Sequence, residues 1–176
     1  MITFIYGGSS SGKSAFAESL LSGLDDEKKY YLATMDAYDS ESILRIERHK
    51  KAREGKGFCT IECPCDIYKA GSQLPVSEGS AVLLECMSNL LANEMFRDGE
   101  IMEADRCVDK IIKDFENLMA YVRDMIIVSN NIFEDGNIYD DGTRAYMAAL
   151  GLINRRLAAI SDEVYEVVVG IPVRIK

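Results

Sequence analysis

The feature that most constrains the fold of this chain is the sequence GGSSSGKS at residues 7–14. It follows an apolar segment, ITFIY at residues 2–6, and it precedes a segment with helical spacing at residues 14–23. The pattern matches G-x-x-x-x-G-K-[ST], in which backbone N–H groups turn inward around phosphate oxygens at a helix N-terminus. The sequence therefore predicts a strand, a nucleotide-binding loop and a helix, with a loop made of Gly7, Gly8, Ser9, Ser10, Ser11, Gly12, Lys13 and Ser14.

Strand patterns and helix patterns alternate along the rest of the chain. We predict further strands at residues 30–35, 58–63, 81–86 and 125–130. Helices are predicted from Asp39 or Ser40 to Arg53, and at 66–74, 88–96, 103–124 and 143–160. The ending EVYEVVVGIPVRIK predicts an antiparallel edge hairpin around Gly170 and Pro172. This order is typical of a single α/β domain of the P-loop NTPase class, residues 1–176, with a mainly parallel sheet flanked by helices.

The charge balance restricts the partners that the chain can have. Asp and Glu number 29 against 20 Lys and Arg, and the net charge of −9 argues against nucleic acid as a partner. No segment approaches the roughly 20 apolar residues of a membrane span, and no signal-peptide pattern follows the N-terminus. The five cysteines are odd in number, which favours a reducing cytoplasm over a disulfide framework. The spacing of Cys63 and Cys65 is too short for the usual zinc pair.

An acidic residue, Glu85, ends the predicted strand at 81–86. A carboxylate at that place can hold Mg²⁺ directly or through water, and the hydroxyl of Ser14 is the other expected metal ligand. The alternative is that Glu85 caps the following helix. The N-K-x-D motif of guanine-specific regulatory GTPases is absent from the sequence. We therefore expect Mg²⁺ together with a nucleoside triphosphate.

The only histidine of the chain, His49, lies in the basic segment RIERHKKAR at residues 45–53. On a helix, Arg45, His49 and Arg53 stack on one face, because they are four residues apart. Guanidinium groups bind phosphate oxygens, and cationic neighbours keep an imidazole neutral and nucleophilic. We predict that His49 is a catalytic nucleophile and that Arg45 and Arg53 form a phosphate clamp. The alternative is an ordinary solvated helix face.

Taken together, these segments resemble the family of bifunctional adenosylcobinamide kinase / adenosylcobinamide-phosphate guanylyltransferase enzymes of cobalamin biosynthesis. The resemblance extends through YLATMDAYDSE at 31–41, TIE at 60–62, LLECMSNLLANEMF at 83–96, INRRLAAISDEV at 153–164 and VVVGIPVRIK at 167–176. It implies a RecA-like sheet and a homotrimer.

The same resemblance implies two reactions, with ATP and GTP as substrates. A nucleoside triphosphate phosphorylates adenosylcobinamide, and a histidine then carries GMP from GTP to adenosylcobinamide phosphate, which gives adenosyl-GDP-cobinamide. His49 matches that histidine. The nucleotide-contacting positions of the family are matched, besides the loop, by Thr34, Met35, Asp36, Lys50, Lys51, Ala52, Arg53, Glu62 and Glu85.

The chain departs from the family pattern in the loop and after the later strands. A basic loop residue is replaced by Ser10, and the substitutions nearer the C-terminus are Asn131 for an acid, Phe133 for a glycine, and Met147 and Ala148 for an arginine and an aspartate. We therefore expect that nucleotidyl transfer is retained and that the handling of cobinamide is altered. Two other functions stay open: a small-molecule P-loop kinase in which His49 only binds phosphate, and a non-catalytic nucleotide-binding subunit.

Overall fold

The computed structural model describes residues 1–24, 28–37, 40–75, 80–133, 136–137 and 139–176. Asp39, one of the two predicted caps, lies outside these ranges, as do the side chains of Ser40, Arg45, His49 and Ala52. The strands are β1 Ile2–Tyr6, β2 Lys29–Ala33, β3 Phe58–Glu62, β4 Ser80–Glu85, β5 Val122–Val128, β6 Glu163–Val168 and β7 Ile171–Arg174. The α-helices are α1 Lys13–Gly23, α2 Ser40–Arg53, α3 Met87–Met95, α4 Ala104–Met119 and α5 Asp141–Ile160. Short 3-10 helices cover Ile67–Gln73 and Arg97–Gly99.

The seven strands form one sheet in the order β3-β2-β4-β5-β1-β6-β7. Every neighbouring pair is parallel except β6 and β7, which form an antiparallel hairpin at the edge. The predicted α/β fold class, with a mainly parallel sheet and a C-terminal edge hairpin, is confirmed. Among the described residues, no helix is both long enough and apolar enough to cross a membrane.

Successive side chains of a strand point to opposite faces of the sheet, and helices cover both faces. In β1, Phe4 belongs to the larger core, which includes residues of α3, α4 and α5, whereas Ile5 belongs to the core beneath α1. Leu84 and Leu83 of β4 divide between the two cores in the same way. Burial of each such side chain contributes about 2 kcal/mol to stability, so the central strands are held from both sides.

The register of the sheet aligns the carboxyl ends of five strands. Glu62 of β3 is the partner of Ala33 in β2, and Ala33 is the partner of Glu85 in β4. Glu85 in turn pairs with Val128 in β5, and Val128 with Ile5 in β1. The loop at 7–14 follows β1 at the same edge, so the sheet brings this loop and two acidic residues together.

The predicted helix at 103–124 is wrong at its C-terminal end. Helix α4 ends at Met119, and the N–H of Tyr121 donates to the carbonyl oxygen of Leu118 in a turn. Val122 fits the apolar spacing of the helix, but it begins β5 and is in register with Ser80 of β4. Pairing with β4 satisfies the backbone groups after this turn, which periodicity alone does not reveal.

Smaller differences concern the other predicted helices. The segment predicted as a helix at 66–74 is a 3-10 helix. Helix α5 begins before Thr143, because the carboxylate of Asp140 accepts hydrogen bonds from the N–H and the hydroxyl of Thr143 and caps the first turn.

Candidate nucleotide site

The loop at 7–14 packs directly against the hairpin of β6 and β7. A Cβ atom on Gly7 would lie 2.5 Å from the carbonyl oxygen of Val167. Gly12 has φ of 95° and would place a Cβ 3.1 Å from the Cα of Gly170. The N–H of Gly170 donates to the carbonyl oxygen of Ser11 at 2.8 Å. Glycine is therefore required at both positions by close backbone approach, and at Gly12 also by its left-handed conformation.

Lys13 begins helix α1 and folds back over the loop. Its side chain is buried, and its Nζ donates to the carbonyl oxygen of Gly8 at 2.6 Å. Burial lowers the pKa of Lys13, against the opposing effects of Cys86 and Glu85. The ammonium group therefore lies across the loop, where it can bind phosphate oxygens held by the backbone N–H groups.

The carboxylate of Glu85 is held by two hydroxyl groups. Ser14 donates to one carboxylate oxygen, and Tyr31 donates to the other at 2.7 Å. A carboxylate beside a hydroxyl at the end of a phosphate-binding loop supplies the hard oxygen ligands that Mg²⁺ prefers. The residues present therefore fit the predicted magnesium site, with Ser14 and Glu85 as its ligands.

Arg53, in the last turn of α2, lies beside Tyr31 and its partner Glu85. Its guanidinium carbon is 3.8 Å from the centre of the Tyr31 ring, an arrangement that favours a cation–π interaction. The side chain is 8% exposed, and among the described residues its buried Nε atom has no hydrogen-bond partner. An arginine with a free buried donor is suited to bind a phosphate oxygen.

These groups face a cavity of about 650 Å³, which we call the phosphate-side cavity. It is lined by Ser9, Ser10, Lys13, Ser14, Tyr31, Ala33, Met35, Ile46, Arg48, Arg53, Glu62, Glu85, Cys86, Asn89, Val128 and Asn130. Helix α2 contributes Ile46, Arg48 and Arg53 to it. Position 49 follows Ile46 by three residues and precedes Arg53 by four, so its backbone lies on the same face of the helix.

A second cavity lies on the other side of the loop. This hairpin-side cavity has a volume of about 770 Å³, and Ser9 and Ser10 line both cavities. Its lining consists of Gly8, Ser9, Ser10, Ser11, Asn131, Ile132, Tyr139, Thr143, Tyr146, Met147, Glu166, Val167, Val168 and Val169. Phe133 and Ala148 line a third, more apolar cleft of about 790 Å³ along α5. The residues that depart from the family pattern after the later strands therefore line the hairpin-side cavity (Asn131 and Met147) and the cleft along α5 (Phe133 and Ala148).

Several predicted site residues have local roles at the edge of the site. Thr34 is fully buried, where its hydroxyl accepts from the N–H of Cys86 at 2.7 Å and donates to the carbonyl oxygen of Cys86 at 2.8 Å. Lys50 forms an ion pair with Glu62 at 3.0 Å. Asp36 accepts a hydrogen bond from the following N–H group, and neither it nor Lys51 lines the phosphate-side cavity.

Tyr31 belongs to the site, although no motif in the sequence marks it as a site residue. The alternation of side chains in β2 indicates that Tyr30 and Tyr31 lie on opposite faces of the sheet. Tyr30 belongs to the larger core, and Tyr31 belongs to the core beneath α1, next to the loop. Nothing in the sequence indicates that Tyr31 meets Glu85, because that contact depends on the pairing of β2 with β4.

Comparison with known proteins identifies the family. The sequence model for cobinamide kinase / cobinamide phosphate guanyltransferase, CobU, matches residues 3–175. The chain belongs to this family. This confirms the resemblance and the prediction that the chain is an enzyme of the transferase class.

Two curated relatives cover the whole chain. The bifunctional adenosylcobalamin biosynthesis protein CobU of Salmonella typhimurium is 30% identical, and the protein of the same name from Escherichia coli is 28% identical. Each alignment spans 100% of this chain and 100% of the relative.

The solved structures support the fold alone. A type III secretion system ATPase of pathogenic bacteria is similar with a TM-score of 0.52 and 11% identity, over 94% of this chain and 50% of that one. A solved ATPase domain gives a TM-score of 0.53 and 15% identity, over 94% of this chain and 68% of that one. Both likenesses agree with the P-loop NTPase fold.

Proposed function

We propose that this chain phosphorylates adenosylcobinamide with a nucleoside triphosphate and then transfers GMP from GTP to the adenosylcobinamide phosphate, giving adenosyl-GDP-cobinamide. The observation that carries the proposal is the family match over residues 3–175, in a chain whose loop, Lys13, Ser14 and Glu85 converge on one cavity. In both reactions a nucleophile attacks a phosphorus atom of a nucleoside triphosphate, so one phosphate-binding loop can serve both.

In the phosphorylation step, the loop holds the triphosphate. Lys13 binds the β- and γ-phosphates, and the side chains of Ser14 and Glu85 would hold Mg²⁺, which would neutralise phosphate charge when bound. The hydroxyl oxygen of the acceptor forms a bond to the γ-phosphorus, and the bond from that phosphorus to the β–γ bridging oxygen breaks. The nucleoside diphosphate leaves with the electron pair, and the hydroxyl proton is released.

In the guanylyl transfer step, a ring nitrogen of His49 forms a bond to the α-phosphorus of GTP. The bond between that phosphorus and the α–β bridging oxygen breaks, and pyrophosphate leaves with the electron pair. A phosphate oxygen of the acceptor then displaces the imidazole and takes the GMP. Support comes from the position of residue 49 on the face of α2 that also bears Ile46 and Arg53, both of which line the phosphate-side cavity.

The handling of cobinamide is the part in which we expect this chain to differ from its relatives. Among the described lining residues of the phosphate-side cavity, neither Asn131, Phe133, Met147 nor Ala148 is present. Asn131 and Met147 line the hairpin-side cavity instead, where an acceptor can reach the loop from the other side. This distribution supports conserved nucleotide chemistry with an altered acceptor site.

The homotrimer implied by the family resemblance is also part of the proposal. The hairpin of β6 and β7 exposes Val169, Ile171 and Val173, and Ile175 follows it with 63% of its surface exposed. Exposed apolar side chains concentrated on one hairpin are suited to association between subunits. Light scattering coupled to size exclusion tests it: a mass of three chains supports the trimer, and the mass of one chain contradicts it.

The experiment for the proposed function uses two labels in parallel. Adenosylcobinamide is incubated with γ-labelled ATP or GTP, and chemically prepared adenosylcobinamide phosphate is incubated with α-labelled GTP. We expect label on the corrinoid in both reactions, with slow transfer of the γ-label to adenosylcobinamide, and in neither reaction with Lys13→Met. Normal turnover of adenosylcobinamide would contradict the altered acceptor site. Transfer of the γ-label alone would favour a plain small-molecule kinase, and nucleotide binding without transfer of either label would favour a nucleotide-binding subunit.

A further inference from the structure

Tyr31 lies between Glu85, a proposed metal ligand, and Arg53 at the end of α2. It belongs to β2, its side chain is 2% exposed, and its ring faces the cavity that contains the loop. The hydroxyl donates to the second carboxylate oxygen of Glu85 at 2.7 Å, whereas Ser14 donates to the first.

The hydrogen bond from Tyr31 fixes the orientation of the carboxylate. Because Tyr31 holds one oxygen of Glu85, the other oxygen is directed toward Ser14, the second predicted metal ligand. Hydrogen bonds from surrounding residues commonly orient metal ligands in this way, and their loss weakens metal binding.

The ring of Tyr31 has a second contact. The guanidinium of Arg53 stacks on it at 3.8 Å, and Arg53 is the last residue of α2, the helix that carries His49. Since β2 belongs to the rigid sheet, a contact to Tyr31 restrains the C-terminal end of α2. One side chain therefore contacts both the carboxylate of the metal site and the end of the helix that bears the proposed nucleophile.

We propose that Tyr31 is a positioning residue that orients the Glu85 carboxylate for Mg²⁺-nucleotide binding through its hydroxyl and anchors the end of α2 through its ring. The inference rests on the proposed function, because it assumes that a Mg²⁺-nucleotide binds in the phosphate-side cavity. It assigns the two contacts to different parts of one side chain, so two substitutions can separate them.

The substitutions are Tyr31→Phe, which removes only the hydroxyl, and Tyr31→Leu, which also removes the ring. The matched control is Tyr30→Phe, because Tyr30 is the adjacent buried tyrosine on the opposite face of β2. Binding of GTP is measured by calorimetry over a series of Mg²⁺ concentrations, without any acceptor. Hydrogen exchange of the backbone amides at the end of α2 is measured on the same proteins.

We expect Tyr31→Phe to raise the Mg²⁺ concentration for half-maximal enhancement of GTP binding by about tenfold, with metal-free affinity and exchange at the end of α2 unchanged. Tyr31→Leu should add several-fold faster exchange at the end of α2, and Tyr30→Phe should change neither readout. An unchanged Mg²⁺ dependence in Tyr31→Phe, or an equal change in Tyr30→Phe, would overturn the inference and leave the proposed function intact. Absence of GTP binding by the unsubstituted protein would overturn both.

Discussion

The hydroxyl of Ser14 donates a hydrogen bond to the carboxylate of Glu85, although 71 residues separate them in the sequence. Ser14 follows β1 and Glu85 ends β4, and these two strands lie on either side of β5 in the sheet. The parallel sheet thus brings the end of the loop at 7–14 to the carboxylate that we propose as a metal ligand.

Replacement of Lys13 by methionine should abolish tight nucleotide binding. The charge-assisted bonds from its ammonium to phosphate oxygens are worth about 1.5–3 kcal/mol each, so the loss of two of them should lower the affinity for GTP by at least about 100-fold. Calorimetry measures the affinity, and Lys28→Met, at an exposed position before β2, is the matched control. Similar affinities of the two variants for GTP would contradict the assignment of Lys13 to the phosphates.

Substitution of two neighbouring glycines by alanine should have different effects on the free energy of unfolding. Gly7→Ala should lower the free energy of unfolding by about 2 kcal/mol, because the new Cβ would lie 2.5 Å from the Val167 carbonyl oxygen. Gly8→Ala should leave stability nearly unchanged, since no heavy atom lies within 4 Å of a Cβ at that position. Urea denaturation checks both variants, and equal stability of Gly7→Ala and Gly8→Ala would contradict the close packing of loop and hairpin.

A cluster of ion pairs between a half-buried lysine and largely buried carboxylates should make stability depend on Lys110. Its ammonium contacts Asp66 at 2.8 Å, Glu94 at 2.6 Å and Asp114 at 2.8 Å. Among the described residues these three carboxylates form a group with metal-ligand spacing. Lys110 contacts all three, and Lys69 and Arg97 also pair with Asp66. Lys110→Met should therefore cost about 3 kcal/mol at neutral pH, the usual loss when a buried charge loses its partner.

The cost of Lys110→Met should decrease in acid. Burial opposes the ionisation of Asp66, but hydrogen bonds from Lys110, Lys69 and Arg97 hold its pKa below the usual range. Stability from such a depressed carboxyl is complete above its unfolded pKa of about 3.9 and is lost as the pH falls toward the folded pKa. Urea titrations at pH 7 and pH 3 should show a smaller difference between variant and unsubstituted protein at pH 3; a constant difference would contradict this account.

The sequence was sufficient for features that depend on local spacing. The glycines and Lys13 of the loop, the strand that precedes it and the helix that follows it are neighbours in the chain, so their pattern determines their structure. The C-terminal hairpin was predictable for the same reason.

Features that depend on contacts between distant segments were not predictable. The end of α4 is set by pairing of Val122 with β4 rather than by helical spacing. The cluster of Tyr31, Glu85 and Arg53 requires the order β2-β4 within the sheet and the docking of α2, and neither is encoded in a short motif.

We propose that His49 carries GMP covalently, and one measurement tests this role directly. The protein is mixed with Mg²⁺ and α-labelled GTP, denatured, and assayed for label that remains on the chain, with His49→Asn in parallel. We predict label that is labile in acid and stable in base, present on the unsubstituted protein and absent from His49→Asn. Absence of label from the unsubstituted protein, with GTP binding verified, or equal labelling of both proteins, would contradict the claim.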